Sequence, residues 1–252
     1  MRLRVATFNI RNGRAWDGRE SWPLRRRATA AAVARLDADV IALQEVYGFQ
    51  QRYLRRRLHR LRPAHEYAAA GAGRNDGRRR GERCSVLFRP PFMLERELTR
   101  WFSDTPERPG TPCWDSRLPR IVTFAWFRHA ASGRRFGIAN LHLESASARS
   151  RDRSAEALLQ WLEPGLPWIV AGDLNATPDE PAVRRLLAGG LRDALLEVGP
   201  EPGPTERRDG TRIDYLLVSD EWQVGAAAVR RETPDRRRPS DHWPVAADLT
   251  LP

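Results

Sequence analysis

Carboxylates, amides and imidazoles gather in a few short polar segments of this chain, each ending or following an apolar stretch. In order they are Thr7-Phe8-Asn9-Ile10-Arg11-Asn12-Gly13, Leu43-Gln44-Glu45-Val46, Asn140-Leu141-His142-Leu143-Glu144, Gly172-Asp173-Leu174-Asn175-Ala176-Thr177-Pro178, and Arg212-Ile213-Asp214-Tyr215 followed by Ser240-Asp241-His242-Trp243-Pro244. Together they offer carboxylates from Glu45, Asp173, Asp214 and Asp241, amides from Asn9 and Asn175, and imidazoles from His142 and His242. Carboxylate oxygens suit a hard divalent cation, and N–H donors suit the oxygens of a phosphate. Phosphoester hydrolysis needs such an inventory: a cation against the charge on the equatorial oxygens, an activated water in line, and help for the leaving oxygen. Taken singly the segments say less, since Gln-Glu is an ordinary loop pair and Asp-x-Asn a common turn.

Short strands must carry these groups. Leu3-Arg4-Val5-Ala6-Thr7-Phe8 alternates like a half-buried strand running into Asn9, and Asp39-Val40-Ile41-Ala42-Leu43 is a buried strand with Glu45 just after it. Between them residues 24–36 form a helix of Ala and Arg with little Gly or Pro, and residues 49–61 a basic helix with Tyr53, Leu54, Leu58 and Leu61 on its apolar face. Residues 71–81 are a Gly- and Arg-rich loop, and residues 85–88, 121–127 and 136–143 read as strands able to form one antiparallel sheet. Helical spacing returns over 146–162, with Ala155, Leu158, Leu159 and Leu162 inward and Pro164-Gly165 as the stop. Trp168-Ile169-Val170-Ala171 delivers Gly172-Asp173, and Thr177-Pro178-Asp179-Glu180 has the form of a capping box that starts a helix over 178–187, closed by Gly189-Gly190. Residues 213–218, 222–230 and 245–249 supply the last strands, residues 106–112 and 200–204 are surface loops, and no internal repeat is visible.

A length of 252 residues allows one sizeable core, and segments spread from end to end imply a single domain over 1–252. The first strand begins almost at Met1 with no apolar leader ahead of it, and no apolar run spans a bilayer, so a cytoplasmic monomer is expected. Cys84 and Cys113 lie far apart and near no pair of histidines, which predicts free thiols. The net charge of +11 fits a polyanionic partner, although the chain contains no lysine and its wealth of Arg, Ala, Gly and Pro is also what a GC-rich coding sequence produces. Its arginine runs, at 52–62, 78–80, 134–135, 149–153 and 230–238, are either phosphate contacts or solvated faces. Trp168 belongs to the core and Trp243 to a pocket wall; Trp16, Trp22, Trp101 and Trp114 fall near predicted loops, where a base or sugar can stack but packing is the plainer reading.

The ordered segments, over residues 5–249, resemble the endonuclease/exonuclease/phosphatase superfamily, which includes deoxyribonuclease I, AP endonucleases, neutral sphingomyelinases and inositol polyphosphate phosphatases. The resemblance implies an α+β, deoxyribonuclease I-like (DNase I-like) four-layer α/β/β/α sandwich with two facing, mostly antiparallel sheets. It also implies a role for each matched residue. Glu45 and Asp241 hold a magnesium ion, or manganese in its place, and the Asn9 amide supports that shell. Asp173 positions or deprotonates the attacking water, and Asn175 donates to a phosphate oxygen. His242 binds the scissile phosphate with Asp214 orienting its ring, and His142 assists the leaving oxygen as an acid. Arg11 reaches a substrate phosphate, while Arg117 and Arg120 do so or make surface ion pairs.

On this basis the chain is expected to be a magnesium-dependent phosphodiesterase, a nuclease acting on DNA or RNA. The alternative is a phosphatase or phosphodiesterase for a lipid or small metabolite. Leu141-His142-Leu143 stands where AP endonucleases carry a tyrosine, and the inositol phosphatase signatures are absent. A catalytically silent binding scaffold would show a substitution at Glu45, Asp173, Asn175, Asp214, Asp241 or His242, and none is present.

Overall fold

The computed structural model describes residues 1–63, 65–199, 202–233 and 237–252. The first residues of the 200–204 loop and the centre of the 230–238 arginine run lie outside the described residues. In chain order the elements are β1 (Arg2–Asn9), α1 (Trp22–Leu36), β2 (Val40–Val46), α2 (Gly48–Leu61), β3 (Ala68–Ala70), β4 (Arg83–Phe88), β5 (Phe92–Trp101), β6 (Ile121–His129), β7 (Arg135–His142) and α3 (Ala148–Trp161). They continue with β8 (Trp168–Asp173), α4 (Pro181–Ala188), β9 (Arg192–Asp193), α5 (Ala194–Val198), β10 (Asp214–Val218), β11 (Gln223–Val229) and β12 (Val245–Thr250).

The strands form two six-stranded sheets, in the orders β11-β12-β1-β2-β4-β3 and β5-β6-β7-β8-β10-β9. Each contains one parallel pair, β1 with β2 and β7 with β8, and every other pairing is antiparallel. A parallel pair needs a crossover, and α1 and α3 supply it. The two halves therefore share one topology that no sequence repeat announces.

Period-2 alternation sorts the core into layers. Leu3 and Val5 of β1, Val40 and Ala42 of β2, Phe136 and Ile138 of β7, Ile169 and Ala171 of β8, and Leu216 and Val218 of β10 pack together between the sheets. The opposite faces bury Phe8, Ile41 and Leu43 under α1 and α2, and Phe124, Leu141, Val170 and Leu217 under α3 and α4. The result is the expected four-layer sandwich. Continuing the inward alternation toward one edge brings Thr7 and Asn9, then Gln44, Asn140 and His142, then Asp173 and Asp214. The same face that is apolar in mid-sheet becomes polar at the strand ends.

Several expectations need correction. The strand at 85–88 is part of β4, which pairs with β2 and β3 in the first sheet, while β6 and β7 pair in the second. Pattern identifies a strand but not its partner. Between them lies β5, ten residues long and missed, because it is a solvent-facing edge strand whose register shifts between Leu94 and Arg96. Glu45 is not beyond β2 but within it, at a φ of 60°. The helix expected from Pro178 begins at Pro181; Glu180 Oε1 accepts from Thr177 N at 3.1 Å, but this closes a turn rather than a helix start. Leu61, assigned to the apolar face of α2, is 43% exposed because it lies in the last turn, beyond the packed Leu54 and Leu58. Both cysteines are free and buried, as expected.

Candidate active site

The polar strand ends meet at one edge of the sandwich. Asn9 Nδ2 donates to Glu45 Oε1 at 3.0 Å and to Asp173 Oδ2 at 2.9 Å, joining the last residue of β1 to carboxylates on both sheets. Asn9 Oδ1 accepts from Arg11 N at 2.9 Å. Both faces of this amide are thus committed to holding neighbours. Glu45 Oε2 takes a hydrogen bond from Asn12 N at 2.7 Å, which the left-handed backbone at Glu45 makes reachable. Arg11 and Asn175 also have positive φ, at 56° and 47°. Side chains rarely tolerate that conformation, so its concentration here marks backbone bent to aim functional groups. Just before Asp173, a Cβ on Gly172 would lie 2.0 Å from the Leu141 carbonyl oxygen, so only glycine lets β8 approach β7 there.

Asp173 is buried between two imidazoles, with Oδ2 at 3.6 Å from His142 Nε2 and 3.8 Å from His242 Nε2. His242 Nδ1 and Asp214 Oδ2 are 2.8 Å apart, and Thr205 Oγ1 in turn accepts from Asp214 N at 3.0 Å. Asp241, one residue earlier, meets Arg11 Nη1 at 3.1 Å. Ser240 Oγ donates to the Asn9 carbonyl at 2.7 Å and ties this segment to β1.

Electrostatics separates groups of the same type. Burial, and then the Arg120 guanidinium, push the His142 imidazole down to about 3. Burial alone would lower His242 too, but Asp214 and Asp173 overcome it and raise the imidazole to about 10. Burial and the neighbouring Asp214 charge raise Asp173 above the usual carboxylate range, against the pull of the two imidazoles. Burial works against the charge on Glu45 as well, yet hydrogen bonds from Asn9 and Asn12 hold it below its usual range.

The remaining expected residues are placed as follows. Asn175 N donates to Asp173 Oδ1 at 2.9 Å, and Asn175 Nδ2 donates to the Leu143 carbonyl at 3.0 Å, which leaves its second amide hydrogen for a ligand. Arg11 grips Asp17 through two nitrogens, at 3.1 and 3.0 Å, besides Asp241, so it is a braced counter-charge rather than a loose phosphate finger. Arg120 is buried with Nε 3.3 Å from Glu144 Oε2, behind His142. Arg117 is exposed and forms no ion pair among the described residues.

Two sets of residues have the composition for a cation. Asp173, Asp214 and His242 bring one ligand atom each within 4.8 Å of one another. In that set Nδ1 of His242 is engaged by Asp214, which leaves Nε2 as its ligand atom. Glu45, held ionised, and Asp241 offer the carboxylate oxygens that suit a hard cation, with Asp241 engaged by Arg11 Nη1 at 3.1 Å in this structure.

One residue that the sequence did not single out organises much of this edge. Arg25 of α1 is 2% exposed and donates to the carbonyls of Ile10 at 2.6 Å, Arg11 at 2.7 Å, Glu20 at 2.8 Å and Pro239 at 3.2 Å. Thr29 Oγ1 adds a 2.6 Å bond to the Pro239 carbonyl. Arg25 thereby fastens the segment after Asn9 to the one before Asp241. Its signal was present: Trp22, Arg25, Thr29, Val33 and Leu36 follow the spacing of a buried helix face. Among tryptophans, Trp22 and Trp101 are core residues, and Trp243 stands by the site with Arg207 at 3.9 Å over its ring.

Known proteins share this arrangement of elements. The chain superposes with a TM-score of 0.90 on an endonuclease/exonuclease/phosphatase from Bacteroides vulgatus, 27% identical, with all of both chains covered. A mannosyl-6-phosphatase from Bacteroides thetaiotaomicron is 26% identical with a TM-score of 0.86, covering 98% of this chain and 99% of that one. The catalytic domain of human nocturnin, solved with a bound sulfate anion, shares the fold at 22% identity and a TM-score of 0.80, over 100% of this chain and 95% of that one. No curated protein sequence matches. The profile of the Endonuclease/Exonuclease/phosphatase family matches residues 6–242, which includes every expected catalytic and metal-binding residue from Asn9 to His242, and the chain belongs to that family.

Proposed function

We propose that this protein is a magnesium-dependent phosphodiesterase that cleaves nucleic acid, working as a cytoplasmic monomer. The family and the site together support phosphoester hydrolysis, and the observation that carries the reading is the junction at Asn9, where one amide links Glu45 to Asp173 across the two sheets. Glu45 and Asp241 would hold the cation, whose chemistry is to neutralise charge on the phosphate oxygens. Asp173, raised in basicity by burial, takes the proton of the attacking water. Water oxygen bonds to phosphorus as the bond to the leaving oxygen breaks. His242, cationic at neutral pH and held by Asp214, donates to the phosphate and returns a proton to the leaving oxygen. His142, kept neutral by burial and Arg120, is assigned a hydrogen bond to the phosphate rather than the acid role expected of it.

A second reading, a phosphatase for a sugar phosphate, is favoured by the likeness to the mannosyl-6-phosphatase along its whole length. Magnesium-dependent cleavage of supercoiled plasmid and single-stranded RNA, set beside phosphate release from mannose 6-phosphate, tests both. Asp173→Asn serves as the control for contaminating enzymes. Polymer cleavage lost in the variant supports the nuclease; release from the sugar phosphate alone replaces it with the second reading.

A further inference from the structure

Trp16 is 92% exposed, although a buried indole would remove a large apolar area from water. Its loop is braced. Asn12 Oδ1 accepts from Arg14 N at 3.1 Å and Ala15 N at 2.8 Å, Arg11 grips Asp17, and Asp17 N donates to Ser21 Oγ at 3.1 Å. The indole is presented by a loop anchored to the active site itself, since Asn12 and Arg11 are the partners of Glu45 and Asp241.

Two residues before it in sequence, Arg14 opens a group of guanidinium side chains around Tyr47. Arg14 lies 4.6 Å over the Tyr47 ring. The next residue, Gly48, has the guanidinium groups of Arg83 and Arg52 3.5 and 3.6 Å from where a Cβ would stand. Among the described residues neither Arg52 nor Arg83 forms an ion pair; Arg83 instead donates to Gln51 Oε1 at 3.3 Å and to the Arg78 carbonyl at 3.2 Å. At its inner end Arg83 lines a narrow recess of about 10 Å³, room for a water, together with Glu45 and His142. Arg83 therefore borders the residues of the site.

We propose that this shelf receives a single-stranded nucleic acid, with a base stacked on Trp16 and backbone phosphates on Arg14, Arg52 and Arg83. The proposal rests on the reading of the site as a phosphodiesterase of nucleic acid. Aromatic faces accept any unpaired base, and guanidinium groups track the phosphates between them. A membrane surface is the other partner for an exposed indole, but the residues around Trp16 are Arg14, Ala15, Asp17, Gly18 and Arg19, which offer no apolar face to insert.

The test uses Asp173→Asn protein, which binds without cleaving, and fluorescence anisotropy with labelled oligodeoxythymidylate or an abasic strand of equal length. Adding Trp16→Ala should weaken oligothymidylate binding by about tenfold or more while leaving the abasic strand unchanged, and Trp16→Phe should restore most of the loss. Arg52→Ala with Arg83→Ala should weaken both strands and flatten the salt dependence. Unchanged oligothymidylate affinity in Trp16→Ala, with the unmodified enzyme still cleaving polymer, overturns the shelf and spares the nuclease. Loss of binding to phosphatidylserine vesicles, with oligonucleotide affinity intact, overturns it in favour of a membrane. If the enzyme neither binds nor cleaves oligonucleotides, the nuclease reading falls and the shelf falls with it.

Discussion

Glu45 and Asp173 each lie near the end of the second strand of the parallel pair in one half of the molecule, and they behave in opposite ways. Amide donors from Asn9 and Asn12 hold Glu45 below the usual carboxylate range. Asp173 receives one bond from the same Asn9 amide and another from Asn175 N, yet deeper burial and the charge of Asp214 raise it. The topology supplies two carboxylates at one edge, and their neighbours make one a held anion and the other a stronger base. The metal ligand and general base proposed for Glu45 and Asp173 require that division.

The sharpest way to break the contrast is to neutralise the base. Asp173→Asn should lower kcat by about 10³-fold with little change in metal affinity, measured by turnover and by titration calorimetry with magnesium. Glu45→Gln should do the reverse, weakening magnesium binding by about 100-fold and recovering part of the activity at high metal concentration. Equal losses of metal affinity in the two variants would mean that the carboxylates share one task. Asn9→Ala attacks the bridge, and leaving two buried oxygens short of a donor should cost about 2 kcal/mol in denaturant unfolding, with metal affinity down by about tenfold.

The imidazoles sharpen the same lesson through pH. His142 is neutral in the fold, with its imidazole pushed down to about 3, whereas the unfolded chain binds a proton below about 6.5. Its contribution is present above that value and is lost as pH falls toward 3. His242 is raised to about 10, so its contribution is complete below the unfolded value and is lost as pH rises through 10. Unfolding free energy measured against pH should therefore lose its acid slope between about 6.5 and 3 in His142→Gln and its alkaline slope between about 6.5 and 10 in His242→Gln. The smallest effect belongs to exposed Arg117. Arg117→Ala should leave stability within about 0.5 kcal/mol and raise KM only a few-fold, by kinetics at low salt.

The chain alone determined which groups stand at the strand ends. Leu3, Val5, Thr7 and Asn9 alternate inward along β1, and Ile169, Ala171 and Asp173 along β8, so the change from apolar to polar is written at a period of two. Helices α1, α2 and α3 and most strands were equally legible, because spacing and stop residues are local signals. The sheet that β4 joins was not, nor was edge strand β5, whose exposed positions carry no alternation to read. Tertiary structure alone decided that Arg25, one arginine in a run of three, is a buried clasp between two active-site segments. It alone separated His142 from His242, which look alike as histidines in polar motifs. Arg120 stands behind one and Asp214 beside the other. Local pattern sets the direction of a side chain, but its charge depends on burial and on neighbours brought from distant parts of the chain, and only the folded packing chooses those.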